Sequence, residues 1–307
     1  MAQTAHAAVL VGPKTIELRE FPLPALGPDE ALLEIEACAR YEPRACRTRG
    51  GTYGFTDVRK PPCLWGGYAE AMYLSPLSVV RKMDRALPPE LAVMFNPLAA
   101  GLSWAASVPR TGPGDCVAIL GPGQRGLSAV IAAREAGAAQ IIVTGLTRDA
   151  HKLALARELG AHLALDAEED DVVTAVREAT GGGADVVVDT TPFAPQSVSQ
   201  AVGMAKSRGR IVLAGLKGRR PTPELYADDV IYKQLTIHGV LSMPYDDFER
   251  AVRLIESRKY PLERLHTHSF PVEQAELAIQ TLAGSVPGVN PIHVAVVPSA
   301  PPVQLGR

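Results

Sequence analysis

The sequence lacks the features that mark several large classes of protein. Its four cysteines, Cys38, Cys46, Cys63 and Cys116, are too few and too irregularly spaced for a disulfide scaffold, which favours a reducing cytoplasm. No apolar run approaches the roughly 20 residues that span a membrane, and the first residues lack the basic and apolar regions of a signal peptide. The net charge is −2 and no basic run is present, so nothing indicates nucleic-acid binding.

The remaining composition is that of an ordinary globular protein. Hydrophobic residues make up 47% of the 307-residue chain and charged residues 21%, which is enough to form a sizeable core. This length accommodates one large or two ordinary domains. We therefore expect a globular protein whose partner is a small molecule.

The most informative stretch follows the short apolar run 117–120 and reads Gly121-Pro122-Gly123-Gln124-Arg125-Gly126-Leu127. A strand, a glycine turn and a helix in this order are typical of a dinucleotide-binding crossover. The first glycine permits a tight turn, the second lets backbone N–H groups approach a pyrophosphate, and the third lets the helix pack on the strand. The pyrophosphate would lie at the positive end of the helix. We therefore predict that these seven residues bind a dinucleotide.

Two patterns of secondary structure divide the chain at about residue 90. The first part is β-rich, whereas the second alternates helices with apolar strands, which predicts an α/β fold with a doubly wound parallel sheet. A last strand is expected to return to the N-terminal β domain. The predicted strands are 8–11, 15–18, 31–37, 68–74, 78–82, 116–120, 140–144, 163–165, 185–189, 210–214, 236–240 and 292–297, and the predicted helices are 90–107, 127–136, 149–159, 172–179, 196–205, 246–257 and 272–283.

Four segments resemble motifs of one enzyme superfamily, in the same order and spacing. Residues 66–71, GGYAEA, are similar to its GGYAEY strand, and 112–126 are similar to its G-x-x-V-x-V-x-G-x-G-x-x-G opening. Residues 152–161 resemble K-L-x-x-A-x-x-L-G-A, and 209–216 resemble G-G-R-I-V-x-x-G. Over roughly residues 5–298 the chain thus resembles the medium-chain dehydrogenase/reductase superfamily, which includes the zinc-type alcohol dehydrogenases.

The resemblance implies an NAD(P)-dependent, alcohol-dehydrogenase-like enzyme with two domains. A Rossmann domain would comprise 91–242, and a truncated GroES-like β domain would comprise 1–90 and 243–307, with the active site in the cleft between them. Residues 235–242 resemble the strand at the family's dimer interface, which implies a homodimer.

The resemblance also implies further cofactor contacts at the ends of strands. The nicotinamide would be lined by Ala214, Gly215, Leu216, Leu241 and Ser242, and the adenosine half would lie near Thr190 and Thr191. The alternative for all seven is an ordinary role at a strand end or in a loop.

The segments that hold zinc in this superfamily are missing from the chain. Zinc enzymes carry A-C-G-x-C-G-S/T-D-x-H after the strand predicted at 31–37; here Tyr41 replaces a cysteine ligand and Pro43 replaces the proton-relay hydroxyl. The G-H-E segment and the four-cysteine lobe are absent, so several tens of residues are missing between Cys38 and Tyr53, by natural loss or by engineering. The cysteines lack the close C-x₂₋₄-C pairs of zinc sites, and we expect no bound zinc.

The end of the second Rossmann strand lacks the carboxylate that usually binds the ribose hydroxyls of NAD. This carboxylate is expected about 20 residues after the glycines, where residues 144–148 read TGLTR. Gly145 leaves room, and Thr147 and Arg148 can bind a 2′-phosphate; Lys152 is also assigned to the cofactor site. Asp149 is interpreted as a helix cap. This pattern favours NADP(H), while the alternative is that Arg148 is a solvated surface charge and both cofactors are accepted.

Without zinc, a phenol or an amide would have to stabilise or protonate the oxyanion that hydride transfer creates. Tyr41 is the first candidate, because it replaces a ligand that faces the cleft in the family. Tyr53 and Asn96 are further candidates, and Asn96 lies near the position of another zinc ligand. For each tyrosine, a loop or packing role is the alternative.

These observations favour a zinc-independent, NADP(H)-dependent oxidoreductase that transfers hydride between the nicotinamide and a carbonyl, alcohol or enone substrate. One alternative is a non-catalytic dinucleotide-binding protein descended from a zinc alcohol dehydrogenase, since the glycine turn is complete and the metal region is not. Another is a truncated chain that needs a partner to cover apolar surface near Phe55 and Trp65.

Overall fold

The computed structural model describes residues 4–39, 53–54 and 56–298. The chain divides into unit 1, which contains residues 1–94 and 265–307, and unit 2, which contains residues 95–264. The division expected from the sequence assigns 243–264 to the β domain, whereas this segment belongs to unit 2 because its helix packs against the helix at 95–102. Among the described residues, no helix combines the length and apolar character needed to cross a bilayer.

Strands and helices are numbered in chain order. The strands are β1 (Thr4–Gly12), β2 (Thr15–Pro22), β3 (Ala31–Glu34), β4 (Cys38–Ala39), β5 (Ala71–Leu74), β6 (Cys116–Leu120), β7 (Gln140–Gly145), β8 (Leu163–Asp166), β9 (Ala184–Asp189), β10 (Ala205–Leu213), β11 (Thr236–Gly239), β12 (His266–Pro271) and β13 (His293–Val297). The helices are α1 (Pro89–Ala92), α2 (Phe95–Leu102), α3 (Gln124–Glu135), α4 (Ala150–Leu159), α5 (Val172–Ala179), α6 (Gln196–Met204), α7 (Ala227–Tyr232), α8 (Tyr245–Glu256) and α9 (Ala275–Leu282).

Unit 2 contains a six-stranded parallel sheet in the order β11-β10-β9-β6-β7-β8. Strands β6, β7 and β9 are buried and apolar over most of their length, as in parallel sheets that are covered on both faces. The core joins strand residues such as Ile142 and Val187 to helix residues such as Val176 and Met204. The predicted doubly wound sheet is confirmed. The chain order reverses at β6, which creates the crevice where such sheets bind ligands.

Unit 1 consists of small sheets. Strands β1 and β2 form an antiparallel hairpin, and β3 pairs with β5. The last strand, β13, pairs in parallel with β12 and antiparallel with β4, so its predicted return to the N-terminal β domain is confirmed. Trp65 is buried and its ring lies edge-on to Tyr73, with 5.0 Å between the ring centroids. The apolar surface expected at Trp65 is therefore not exposed, while Phe55 lies outside the described residues.

Two predicted elements are wrong for physical reasons. The helix predicted at 90–107 is divided into α1, α2 and a π-helical turn, Ser103–Ser107. Proline lacks an N–H group and is tolerated only in the first turn of a helix, so Pro97 requires a new helix to begin just before it. The strand predicted at 78–82 does not form. Val79 and Val80 are 74% and 68% exposed, and within the described ranges no strand pairs with them.

A pair of histidines joins the two parallel strands of unit 1. His266 in β12 is in register with His293 in β13, and their Nδ1 atoms are 3.1 Å apart, so one ring donates a hydrogen bond to the other. His293 is fully buried, and this burial lowers its pKa from 6.5 to about 3. Burial also lowers the pKa of the half-buried His266. The pair is therefore neutral near pH 7.

We predict that this pair makes stability fall with acidification. The folded-state pKa of His293 lies below its unfolded value, so the unfolded chain binds the proton first as the pH falls below about 6.5. The loss grows toward pH 3 and should reach about 2 kcal/mol of unfolding free energy at pH 5. Urea denaturation at pH 7 and pH 5 should show a smaller acid loss in His293→Asn, which cannot titrate in this range. An equal loss in both proteins would contradict the prediction.

Candidate functional site

The glycine turn after β6 depends on close contact between its own backbone atoms. Gly121 has a φ of +93°, and its N–H donates to the carbonyl of Thr144 at 3.0 Å. A Cβ on Gly126 would lie 1.8 Å from the carbonyl oxygen of Gly121, so that position accepts no other residue. Helix α3 then begins at Gln124, and no side chain in the described part of the chain caps its N-terminus. The first-turn N–H groups of a helix lack partners within the helix and attract anions.

The neighbouring positions of the turn have different surroundings. Gly123 is exposed, and a Cβ added to it would meet no atom within 4 Å. Pro122 and Leu127 are buried. A Cβ at Gly123 would therefore contact none of the described residues, and would displace only a molecule bound against the turn.

The end of β7 also packs against this turn. A Cβ on Gly145 would lie 2.8 Å from Cγ of Pro122 and 3.2 Å from Cδ2 of Leu153. The space that we expected Gly145 to leave for a ligand is thus filled by Pro122. The glycine is needed for packing between the second strand and the glycine turn.

Charged groups surround the loop that follows β7. Arg148 is exposed, whereas Lys152 is largely buried and its Nζ lies 2.8 Å from Oδ1 of Asp149. Asp149 directly precedes α4, as predicted, but its side chain does not cap that helix. Oε2 of Glu168 accepts a hydrogen bond from the N–H of Thr147 at 2.9 Å. Arg148 therefore offers an accessible positive charge here, and Glu168 offers a carboxylate that sequence reasoning missed.

The threonines after β9 use their hydroxyl groups within the protein. Thr190 Oγ1 donates to the carbonyls of Leu120 at 2.9 Å and of Gly121 at 3.1 Å. Thr191 Oγ1 donates to Oδ1 of Asp189 at 2.5 Å. Both residues lie beside the glycine turn: Thr190 hydrogen-bonds to its backbone, and Thr191 packs against Gly121.

The residues predicted to line the nicotinamide follow two adjacent strands. The N–H groups of Ala214 and Gly215 donate to the carbonyl of Asp189 at 2.9 and 3.1 Å. Leu216 and Leu241 are partly exposed, at 48% and 38%. Because β10 and β11 are neighbouring parallel strands, the segments 214–216 and 241–242 lie at the carboxyl ends of the strands, as the glycine turn does.

A tryptophan connects the start of α3 to the segment 241–242. The guanidinium carbon of Arg125 lies 5.6 Å from the centroid of the Trp104 ring, which is a cation–π contact. Trp104 Nε1 donates to the carbonyl of Ser242 at 3.4 Å. Gln124 is half-buried, and its Oε1 is buried with no hydrogen-bond partner among the described residues. Trp104 was not selected from the sequence, because a tryptophan in an apolar helix reads as a core residue.

The three candidate catalytic residues have different positions. Tyr41 lies outside the described residues. Tyr53 belongs to unit 1, where its hydroxyl lies 2.6 Å from Oγ of Ser78 and accepts a hydrogen bond from the N–H of Ser75 at 2.7 Å. Asn96 is half-buried in the first turn of α2 in unit 2. The contacts of Tyr53 are those of a residue that holds a loop in place.

The described residues do not form a metal site of the zinc-enzyme type. Within 4–39, 53–54 and 56–298, no three His, Cys, Asp or Glu side chains are grouped to hold a metal ion. Burial raises the pKa of the Cys38 thiol to about 12, which disfavours the thiolate that metals bind. Cys46 lies outside the described residues. The donors in the described part of the chain therefore do not fit a catalytic zinc ion.

A buried ion pair is the largest feature that sequence reasoning missed. Asp189 is fully buried at the end of β9, and Lys217 Nζ lies 2.7 Å from its Oδ2. A carboxylate that ends an apolar strand was a signal available in the sequence. Its partner lies in a loop after the next strand, and no periodic pattern connects the two residues.

Comparison with known proteins agrees with this fold. The family model described as zinc-binding dehydrogenase matches residues 126–257. A Mycobacterium tuberculosis protein named "Probable alcohol dehydrogenase adh" is 38% identical over 360 aligned positions, which cover 95% of this chain and 98% of that protein. The aligned positions outnumber the 307 residues of this chain, so the relative contains several tens of residues without a counterpart here.

Solved structures show the same architecture. A protein of Sinorhizobium meliloti 1021, assigned as a zinc-binding dehydrogenase and bound to NADP, is 25% identical, with a TM-score of 0.80, and the match covers 96% of this chain and 100% of that chain. Benzyl alcohol dehydrogenase from Acinetobacter calcoaceticus shares the fold, at 19% identity and a TM-score of 0.77, over 97% of this chain and 100% of that chain.

The glycine turn, the sheet order and these relatives lead to one assignment. The chain belongs to the medium-chain dehydrogenase/reductase superfamily, has a Rossmann fold with a GroES-like β domain, and is an alcohol-dehydrogenase-like oxidoreductase that lacks the zinc-binding segments of its zinc-type relatives.

Proposed function

We propose that this oxidoreductase works without zinc and transfers hydride between NADP(H) and a carbonyl compound, its alcohol, or an enone. The observation that carries the cofactor half is the glycine turn, with its uncapped helix and the open position at Gly123. The missing G-H-E and cysteine segments motivate the zinc-free half. The bound NADP in the S. meliloti relative supports a nicotinamide cofactor.

The choice of NADP(H) rests on the charges after β7. No carboxylate ends this strand, and the exposed Arg148 can pair with a 2′-phosphate. Glu168 disfavours NADP(H). Its carboxylate accepts a hydrogen bond from the N–H of Thr147, and its negative charge would repel a phosphate bound at this loop. If Glu168 stays in place, it can accept a hydrogen bond from a ribose hydroxyl, which is the observation that favours NAD(H). We place Arg148 first because charge-assisted contacts to phosphate are strong.

In the proposed reaction, different residues of the chain would bind the pyrophosphate, orient the nicotinamide and donate to the carbonyl oxygen. Backbone N–H groups around Gly123 bind the pyrophosphate. Backbone groups of 214–216 and 241–242 orient the carboxamide, and the reduced nicotinamide supplies the hydride when bound. A hydroxyl or amide then donates a proton or hydrogen bond to the carbonyl oxygen. We assign this role to Tyr41 or Asn96 ahead of Tyr53, whose hydroxyl is engaged with Ser75 and Ser78.

The experiment that tests the function uses purified protein of measured metal content. It is titrated with NADPH and NADH by fluorescence, and bound NADPH is then challenged with aldehydes, ketones and enones. Oxidation of NADPH at a metal content far below one ion per chain is the expected result. Tight binding without oxidation across the panel would instead support the non-catalytic descendant. Activity that appears only after zinc is added would contradict the zinc-free mechanism.

Two substitutions with opposite charge effects should separate the cofactors. Arg148→Ala should weaken NADPH binding about tenfold and leave NADH unchanged, since only NADPH has the 2′-phosphate. Glu168→Gln should strengthen NADPH binding, because it removes a negative charge beside the same loop. Dissociation constants at low salt provide the measurement. Equal affinity of the unmodified protein for both cofactors would end the NADP(H) assignment.

Two glycine substitutions should distinguish ligand contact from folding. Gly123→Ala should leave the melting temperature unchanged, because its Cβ contacts none of the described residues. It should weaken the binding of both cofactors at least tenfold, because the new methyl group would contact the pyrophosphate. Gly126→Ala is the matched comparison and should lower the melting temperature, since its Cβ collides with the carbonyl of Gly121. Unchanged cofactor binding in Gly123→Ala would show that the ligand lies elsewhere.

We also propose a homodimer and a cytoplasmic location. Strand β11 is an edge of the six-stranded sheet, and Ile231, Tyr232 and Ile237 nearby are 66%, 81% and 39% exposed. An edge strand with apolar neighbours is suited to pairing with a second copy. Light scattering should give about twice the chain mass of 32.6 kDa, and a monomer at micromolar concentration would contradict the proposal. Cys63 and Cys116 form no disulfide with another described residue, which favours a reducing compartment.

A further inference from the structure

A buried carboxylate lies directly below the proposed cofactor site. Asp189 is fully buried at the carboxyl end of β9. Its Oδ1 accepts hydrogen bonds from the N–H of Thr191 at 3.0 Å and from Thr191 Oγ1 at 2.5 Å. Its Oδ2 lies 2.7 Å from both Ser197 Oγ and Lys217 Nζ. Each carboxylate oxygen therefore has two donors, so the negative charge is fully compensated within the protein.

Lys217 directs its ammonium group toward the same loop. Its side chain is 13% exposed, and besides Asp189 its Nζ donates to the carbonyl of Thr191 at 2.5 Å and contacts Thr191 Oγ1 at 3.1 Å. All three contacts are made with the end of β9, whereas Lys217 itself follows β10. The lysine thus connects the loops that follow two adjacent strands.

Thr191 is the point where three strand ends meet. A Cβ on Gly121, after β6, would lie 2.8 Å from Thr191 Cγ2, and a Cβ on Gly215, after β10, would lie 2.2 Å from the carbonyl oxygen of Thr191. Thr191 is therefore packed against both the glycine turn and the segment 214–216, so its position limits the position of each. These are the two segments that we assign to the pyrophosphate and the nicotinamide.

We propose that Lys217 is a positioning residue for the cofactor: by holding Thr191 against Asp189, it keeps the glycine turn and the segment 214–216 in the arrangement that the dinucleotide requires. This assignment rests on the proposed function. A buried ion pair is a poor means of gaining stability, because removing both charges from water costs about as much as their attraction returns. It does restrict geometry, and a binding site formed before the ligand arrives avoids the free-energy cost of ordering its loops.

Lys233 provides a matched comparison. It also makes three hydrogen bonds, to the carbonyls of Val202, Gly203 and Ala205 at 2.7, 3.1 and 3.1 Å. These carbonyls lie at the end of α6 and the start of β10, so this lysine acts at the opposite end of the strand that Lys217 follows. Removing it should affect folding without reaching the cofactor loops.

The test measures cofactor binding and stability in parallel. Lys217→Met should weaken the binding of NADPH and of NADH about tenfold each. The ratio of the two dissociation constants should not change, because the proposed site of the 2′-phosphate, after β7, is on the other side of the switch point of the sheet. Lys217→Arg should restore part of the affinity, since a guanidinium can still bridge Asp189 and Thr191. Lys233→Met should lower the melting temperature and leave both dissociation constants unchanged. An unchanged dissociation constant in Lys217→Met would overturn the proposal, even if its melting temperature falls.

A second variant keeps the test decisive if Lys217→Met does not fold. The double variant Asp189→Asn with Lys217→Met contains no unpaired buried charge, so it should regain stability. It should still bind both cofactors about tenfold more weakly than the unmodified protein, because the contacts of Lys217 with Thr191 are absent. Wild-type affinity in the double variant would assign the pair a purely structural role. If the unmodified protein binds neither cofactor, the proposed function fails first and this assignment fails with it.

Discussion

The carboxyl end of the sheet in unit 2 depends on close backbone contacts at glycine residues. Strand β6 must turn into α3 within three residues, and this turn places the Cα of Gly126 against the carbonyl of Gly121. Gly121 in turn lies against Thr191, and Thr191 lies against Gly215. A side chain at any of these glycines would separate strand ends that must touch.

Electrostatics acts on this arrangement in two layers. The buried layer is Asp189, which is fully buried, with Lys217, whose side chain is 13% exposed, and it connects the loops that follow β9 and β10. The exposed layer, Arg148 and Glu168, surrounds the loop after β7 and carries opposite charges. Exposed charges are screened by water and salt, so this second layer contributes little to folding. In the proposed function, it acts instead on the choice between NADP(H) and NAD(H).

In the proposed function, this chain performs without a metal ion the work for which its zinc-type relatives use one. Its own sequence lacks their ligand segments, and the mycobacterial relative has several tens of residues with no counterpart here. The Rossmann half is nevertheless complete, with all six strands in parallel order. The missing segments therefore take no strand away from the described sheet of unit 2.

The elements that could be predicted from the sequence are those whose signals are local. Apolar runs bounded by glycine identified β6 and β7 nearly to the residue, and the glycine spacing identified the turn before α3, because short-range sterics dictate both. Local signals failed where a neighbour decided the outcome. Pro97 divided a helix that looked continuous, and the apolar segment 78–82 found no strand partner within the described residues. Only the tertiary structure placed Lys217 on Asp189 and Glu168 on Thr147, since those contacts join segments that are distant in sequence and the sheet order alone makes them neighbours.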